Sequence, residues 1–344
     1  MRSLAGIPEF FAKKMIRKND SLLRIVSRYP VKFPNIILSD FKRSVGEVAD
    51  VISFQKEFLR RKTLSQHQID CYRTIWGENG GVWGTSIHEL VMLVGMKGGK
   101  NFWCEGDIAY TCYFISCLNN PHAYFSKITR RKVPYTYDAA FDIVIASLMG
   151  KDHSRRVLLD GVKNAIRNTR DPKTGEKWFI RHANLKDDNK MGCIQKSEIR
   201  FPVIHMGNGG LRIMSFSSKA NAPEGYHILR FYADELSRLP TKHKYRTAKK
   251  LHTLGIFNTS ISFPNKVGKV ITWGYPNGSK YDLVVERYEL ITKKKLPGYY
   301  AIKASTFNFN PTISPESLQD ELMRDRARWN RIYECNYSEN KISS

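Results

Sequence analysis

Apolar and polar positions fall in blocks along this chain. Leu90-Val91-Met92-Leu93-Val94 is an unbroken apolar run. It gives way to Gly95-Met96-Lys97-Gly98-Gly99-Lys100-Asn101 and then to a long apolar segment of helical length. Such a block order predicts a strand, a glycine-rich turn and a helix. A second run, Tyr226 to Ala233, ends in the adjacent acids Asp234 and Glu235, with Arg230 interrupting it. Apolar residues on both alternating sets of positions predict a strand buried on both faces, as in a parallel sheet. Residues 167–201 are polar and turn-rich, with Asp171-Pro172-Lys173-Thr174-Gly175 and Asp187 to Gly192 as turns. They predict a hairpin excursion within one domain. No apolar stretch approaches the 18 or so residues of a membrane span.

The first block is suited to holding phosphate. Gly95, Gly98 and Gly99 let successive backbone N–H groups, those of Met96 and Lys97 included, turn inward on an anion, and the helix start adds its positive dipole end. Lys100 is placed to reach the β and γ phosphates. Against the pattern G-x-x-x-x-G-K-[ST], Val94 stands at the first glycine and Asn101 at the hydroxyl residue; an amide oxygen remains a competent Mg²⁺ ligand. The bland reading of this block is a turn between a buried strand and a helix. In the second block the strand's C-terminal edge, where open α/β sheets bind ligands, carries the acid pair. Asp234 suits the metal and Glu235 an attacking water. Read blandly, the pair is a surface turn.

Together with their flanks these blocks resemble the large terminase subunit of tailed bacteriophages, in its N-terminal ATPase motor domain, from about Leu64 to Tyr333. Leu64 to Asp70 resembles that family's adenine-recognition segment, with Gln68 reading the base edge, and Lys97 stands where the family often has an extra basic residue. Phe141 to Ser147 and a helix over 152–168 resemble the strand and helix that follow the loop helix. Leu211 to Ser218 and Pro223-Glu224-Gly225 lead to the acid pair. Val270 to Pro276 resembles the coupling strand, where Thr272 is the hydroxyl residue. Asn310-Pro311-Thr312-Ile313 and a charged helix from Pro315 to Tyr333 resemble the closing segment.

The resemblance implies an α/β P-loop NTPase of the ASCE type, with a central mostly parallel sheet flanked by helices, using ATP and Mg²⁺. The implied partners are double-stranded DNA, further copies of the chain in a ring, the portal protein and the small terminase subunit. The implied place is the cytoplasm of an infected bacterial host, docked transiently on the procapsid portal, with no membrane partner. Two departures stand out. The arginine that terminases often carry before the acid pair is missing, leaving Lys219 as the nearest cation. The family's nuclease domain has no counterpart before Ser344, so no nuclease activity is expected.

Composition agrees with a polyanion partner: 56 Lys and Arg against 32 Asp and Glu give a formal net charge of +24. Residues 1–62 form a basic, mainly helical lead broken at Pro30 and Pro34, residues 63–333 the ATPase domain, and residues 334–344 a polar tail or linker. The six cysteines show no C-x-x-C pairing and the nine histidines no zinc spacing, which predicts reduced, buried thiols. Met92, Phe102, Trp103, Tyr110, Tyr113 and Phe114 read as core. Two other functions fit the same residues. One is a nucleic-acid-binding module whose degenerate P-loop serves assembly; the other is a helicase-like ATPase, though the further helicase motifs are not found.

Overall fold

The computed structural model describes residues 41, 48–77, 83–132, 134–135, 139–148, 154–183, 185, 194, 198–201, 210–217, 226–237 and 241–337. Most of the basic lead, the turn at 187–192 and the end of the tail lie outside these residues. Seven strands form one sheet: β1 Glu89–Val94, β2 Phe141–Ser147, β3 Glu198–Phe201, β4 Leu211–Ser217, β5 Ile228–Asp234, β6 Lys269–Gly274 and β7 Tyr299–Ala304. Their order is β3-β4-β2-β5-β6-β1-β7. Every pairing is parallel except that of β3 with β4.

Continuous apolar runs become central strands here because helices cover both faces, so neither set of alternating side chains meets water. Leu90, Met92, Val94, Ile143, Ile145, Tyr232, Ile271 and Trp273 belong to one core. Val91, Leu93, Val144, Ala146, Phe231, Ala233 and Val270 belong to the other. The first core is closed by helices Gln66–Trp76 (α1) and Lys100–Cys117 (α2), whose Trp76, Trp103, Tyr110 and Phe114 are fully buried. The second is closed by Lys242–Ser262 (α3) and Leu283–Lys294 (α4). Phe102, expected in the core, is instead 39% exposed: it lies at the helix surface, where the Arg61 guanidinium 3.6 Å over its ring, rather than the apolar core, covers one face, and Arg61 also donates to its backbone oxygen.

Arg230 finds its partner on the loop helix. Its Nη1 donates to Asp107 Oδ2 at 2.5 Å, while Tyr232 Oη and Trp76 Nε1 donate to the same carboxylate. The guanidinium sits 4.4 and 4.7 Å from the rings of Trp76 and Trp83. A cation inside a buried strand is tolerated where charge and ring faces replace its water.

Two expected elements differ in detail. The excursion over 167–201 contains the Asp171 turn, closed by a bond from Gly175 N to Asp171 O, but continues as the helix Trp178–Ala183 before β3. The charged helix from Pro315 to Tyr333 is three pieces: a 3-10 turn Pro315–Leu318 and helices Gln319–Arg324 (α5) and Arg326–Ile332 (α6). Asp325 leaves helical dihedrals (φ −154, ψ 88), and its carboxylate caps Arg328 N, so one helix ends where the next is capped.

Candidate functional site

The sheet order brings the loop and the acids to one edge. β1, which feeds the glycine-rich loop, is separated from β5, which carries the acids, by β6 alone. Registers pair Leu93 with Gly274, Asp234 with Trp273 and Ser147 with Asp234, so the C-terminal ends of four strands meet around the loop.

Gly99 caps α2 in the left-handed region (φ 79, ψ 19), a conformation that costs a β-carbon and lets the chain swing from loop to helix. Gly95 is constrained differently: a β-carbon there would collide with Thr306 Oγ1 and the Tyr333 carbonyl. The loop is also held from the C-terminal side. Met96 N donates to Ile332 O at 2.7 Å, Thr306 Oγ1 to Met96 O at 2.7 Å, and Asn310 Nδ2 to Lys97 O at 3.1 Å. Lys97, also left-handed (φ 62), reaches Glu321 at 3.8 Å.

Lys100 is buried, and its Nζ donates to Val94 O at 3.0 Å and Gly95 O at 2.8 Å. Burial lowers its pKa, while Cys335, Glu235 and Asp234 act in the opposite direction. Lysine and acid pair therefore share one electrostatic neighbourhood, as phosphate and metal chemistry requires. Glu235 adopts φ 47, an uncommon conformation for a residue with a β-carbon. Such local strain is found most often at functional sites.

Asn101, next on the helix, accepts from Trp273 Nε1 at 3.3 Å. Thr272, the expected coupling residue, is fully buried and stands in register with Val91 and Ala233, on the sheet face that α3 and α4 cover. The neighbouring Trp273 is on the other face, where its Nε1 reaches Asn101 of the loop helix. Gln68 is buried as part of a capping box: Ser65 N donates to its Oε1, and Gln68 N donates to Ser65 Oγ. Its Nε2 faces Gly99, 3.4 Å from where a β-carbon on that glycine would stand. Lys219 lies outside the described residues.

Sequence reading missed Thr306, Cys335, whose thiol acts on the Lys100 pKa, and Tyr275, whose ring lies 5.7 Å from Lys100 Nζ. Each is brought in by chain far from the loop, and no local motif signals such a contact. The turn after the acids is tied to the same neighbourhood: Ser237 Oγ donates to Tyr275 O at 3.0 Å, and Asn277 Nδ2 donates to Ser237 O. Among the described residues no cluster of three or more His, Cys, Asp or Glu is arranged to hold a metal. Mg²⁺ in a triphosphate site draws most ligands from water and phosphate, so a single carboxylate with an amide oxygen suits it.

A family model described as "Uncharacterized protein MJ0330, N-terminal P-loop domain" matches residues 34–335. The chain belongs to this family. No curated protein matches the sequence. Among solved structures, the large terminase of HK97 bacteriophage is similar over 84% of this P-loop chain and 55% of its own, with a TM-score of 0.53 and 11% identity. The likeness is one of fold, and this chain spans little more than half the length of that terminase. The ATPase domain of the Thermus phage P74-26 large terminase is similar over 73% of this chain and 88% of its own, with a TM-score of 0.40 and 10% identity. An arginine-to-alanine mutant of that domain is similar over 81% and 96%, with a TM-score of 0.44 and 9% identity. The α/β P-loop architecture expected from the sequence, with a mostly parallel sheet between helices, is thus the fold of this chain.

Proposed function

We propose that this chain is the ATPase motor domain of a viral genome-packaging terminase, hydrolysing ATP to move double-stranded DNA into a procapsid. The observation that carries the ATPase reading is the convergence of Lys100 and the Asp234-Glu235 pair at one sheet edge, close enough for the acids to act on the lysine's pKa. Lys100 and the amides of Lys97, Gly99, Lys100 and Asn101 hold the triphosphate, while Gly95, Met96 and Gly98 shape the cradle, the Met96 and Gly98 amides being bonded to Ile332 O and Gly95 O. Gln68, beside Gly99, faces the base. Asp234 and the free lone pair of Asn101 Oδ1 hold Mg²⁺, which when bound offsets phosphate charge. Glu235 orients water and takes its proton. Thr272 on β6 and the loop that follows relay the state of the acids, and Lys219 is the nearest cation ahead of them for acting on a neighbouring copy.

The net charge of +24 supports a phosphate-gripping partner, duplex DNA read without base preference. The terminase likeness supports a ring of copies docked on the portal protein with the small terminase subunit, in the cytoplasm of an infected bacterial host. No helix of the described residues is long and apolar enough to cross a membrane.

The deciding experiment compares ATP binding and hydrolysis of the purified chain with two variants. Glu235→Gln keeps ATP binding and loses turnover by about 100- to 10,000-fold, the usual worth of a general base; Lys100→Ala weakens binding itself. Wild-type turnover in Glu235→Gln removes that residue from the water-activating role. ATP binding by the wild type without any hydrolysis favours the assembly module with a degenerate loop.

A further inference from the structure

Arg331 is a half-buried guanidinium with no hydrogen-bond or charge partner among the described residues, and its Nε is fully enclosed. Its neighbours Arg324, Arg326 and Arg328 are exposed and served by water. Taking a cation partly out of water without a partner costs free energy, so such a group calls for an explanation. Its position supplies one. The next residue, Ile332, accepts the Met96 N–H of the glycine-rich loop. On the other side a β-carbon placed on Gly278 would stand 2.9 Å from Arg331 Cδ and Nη1, so the side chain lies against that glycine. Asn277, beside Gly278, is bonded to Ser237, two residues beyond Glu235. Arg331 thus stands on a segment joined to the glycine-rich loop through Ile332, and its side chain lies against a turn that is joined through Asn277 to the chain just beyond the acid pair. Lys97, the other cation of the loop, is directed to Glu321.

We infer that Arg331 is a catalytic cation supplied by the chain itself, contacting the terminal phosphate of a bound nucleoside triphosphate. The inference rests on the ATPase reading. In the step it serves, a water oxygen bonds to the γ-phosphorus and the bond from that phosphorus to the bridging oxygen breaks. The bond's electron pair stays on ADP, and the water's proton passes to Glu235. Charge is spread over the γ-phosphoryl oxygens and the bridging oxygen during transfer, and a planar guanidinium offers parallel N–H donors to neighbouring phosphate oxygens. ADP lacks the group that Arg331 meets, so the residue also discriminates ATP from ADP.

The test measures kcat, KM, and the affinities for ATP and ADP of wild type, Arg331→Ala and Arg331→Lys, with melting curves recorded with and without each nucleotide. The alanine variant is expected to lose about 100-fold or more in kcat, at the modest end for an arginine acting on phosphoryl transfer. It is also expected to bind ADP as the wild type does, to lose its preference for ATP, and to melt unchanged without nucleotide. The lysine variant recovers part of the rate, since it restores charge without the fork. Wild-type kcat and an unaltered ATP-to-ADP ratio in Arg331→Ala overturn the assignment while leaving the ATPase reading intact. A lowered nucleotide-free melting temperature with that same unaltered ratio marks a structural role and overturns it too. A wild-type chain that neither binds nor hydrolyses ATP removes both.

Discussion

On the loop helix, Glu105 lies packed between Arg61, 3.6 Å away, and the backbone of Gly161, whose missing β-carbon leaves the room it needs. Burial pushes its carboxyl up to about 7, with Arg61 opposing. The folded chain therefore holds this proton more tightly than the unfolded one. Its stabilising effect is fully present below the ordinary carboxylate pKa of about 4.5 and is lost as pH rises through about 7. The change is on the order of 3 kcal/mol across that window. Glu105→Gln, which keeps the shape and cannot ionise, is expected to flatten the fall in stability between pH 5 and 8 in urea unfolding. Asp282, also pushed up to about 7 by burial although three backbone N–H groups donate to it, titrates in the same direction. Some slope therefore survives in the variant. An unchanged pH profile would show that Glu105 titrates normally in the folded chain.

Three elements meet at a single carboxylate one level up. Asp107 on α2 accepts from Trp76 of α1 and from Arg230 and Tyr232 of β5, bolting the glycine-rich loop's helix to the strand that ends in the acid pair. Removing one partner of a buried pair leaves the other uncompensated. Asp107→Leu is accordingly expected to cost about 3–5 kcal/mol in chemical unfolding, and adding Arg230→Met to recover much of it. A double variant no more stable than the single would mean that the pair is not the source of the loss. This bolt also marks how far the sequence could be read. Strands at 90–94 and 228–234 were legible because burial on both faces writes itself as an unbroken apolar run. The partner of Arg230, 123 residues away, leaves no local trace. Whether Thr272 or Trp273 faces the loop helix depends on strand register, which periodicity within one strand does not determine. The break at Asp325 was hidden for a different reason: an aspartate inside a charged helical stretch reads as a surface residue until its side chain is seen capping Arg328. At the candidate site, the glycines, Lys100 and the acids were readable from type and order. The C-terminal segment that brings Thr306 and Ile332 to the loop was not, because contacts closed over more than 200 residues have no spacing rule.

Over the whole molecule the excess of positive charge is uneven. Helix α3 begins just beyond the acid pair and carries Lys242, Lys244, Arg246, Lys249 and Lys250 with no Asp or Glu along its 21 residues. Lys242, Arg246, Lys249 and Lys250 are exposed, while Ala248, Leu251, His252 and Gly255 face the sheet. Lys242 and Lys244 occupy the first turn, where the helix dipole is positive and a cation is disfavoured by a few tenths of a kcal/mol. Among the described residues, Lys249 alone of these cations is drawn to an acid, Glu286 of the neighbouring helix at 3.3 Å. A face that sacrifices local stability to concentrate charge fits a polyanion, and its attachment to the acid-pair turn would place DNA contact one short connection from the hydrolysis site. Each phosphate contact releases counterions, so affinity for duplex DNA should fall linearly in log–log form with salt, by about 0.9 per contact. The double variant Arg246→Gln, Lys250→Gln removes two such contacts. Its slope should flatten by about 1.8 for any duplex sequence, while ATP hydrolysis measured without DNA stays at the wild-type rate. Fluorescence anisotropy of a labelled duplex across a salt series reads this directly. A slope equal to that of the wild type would move the DNA-gripping surface off this helix, and binding indifferent to salt would remove the electrostatic account of the +24 charge altogether.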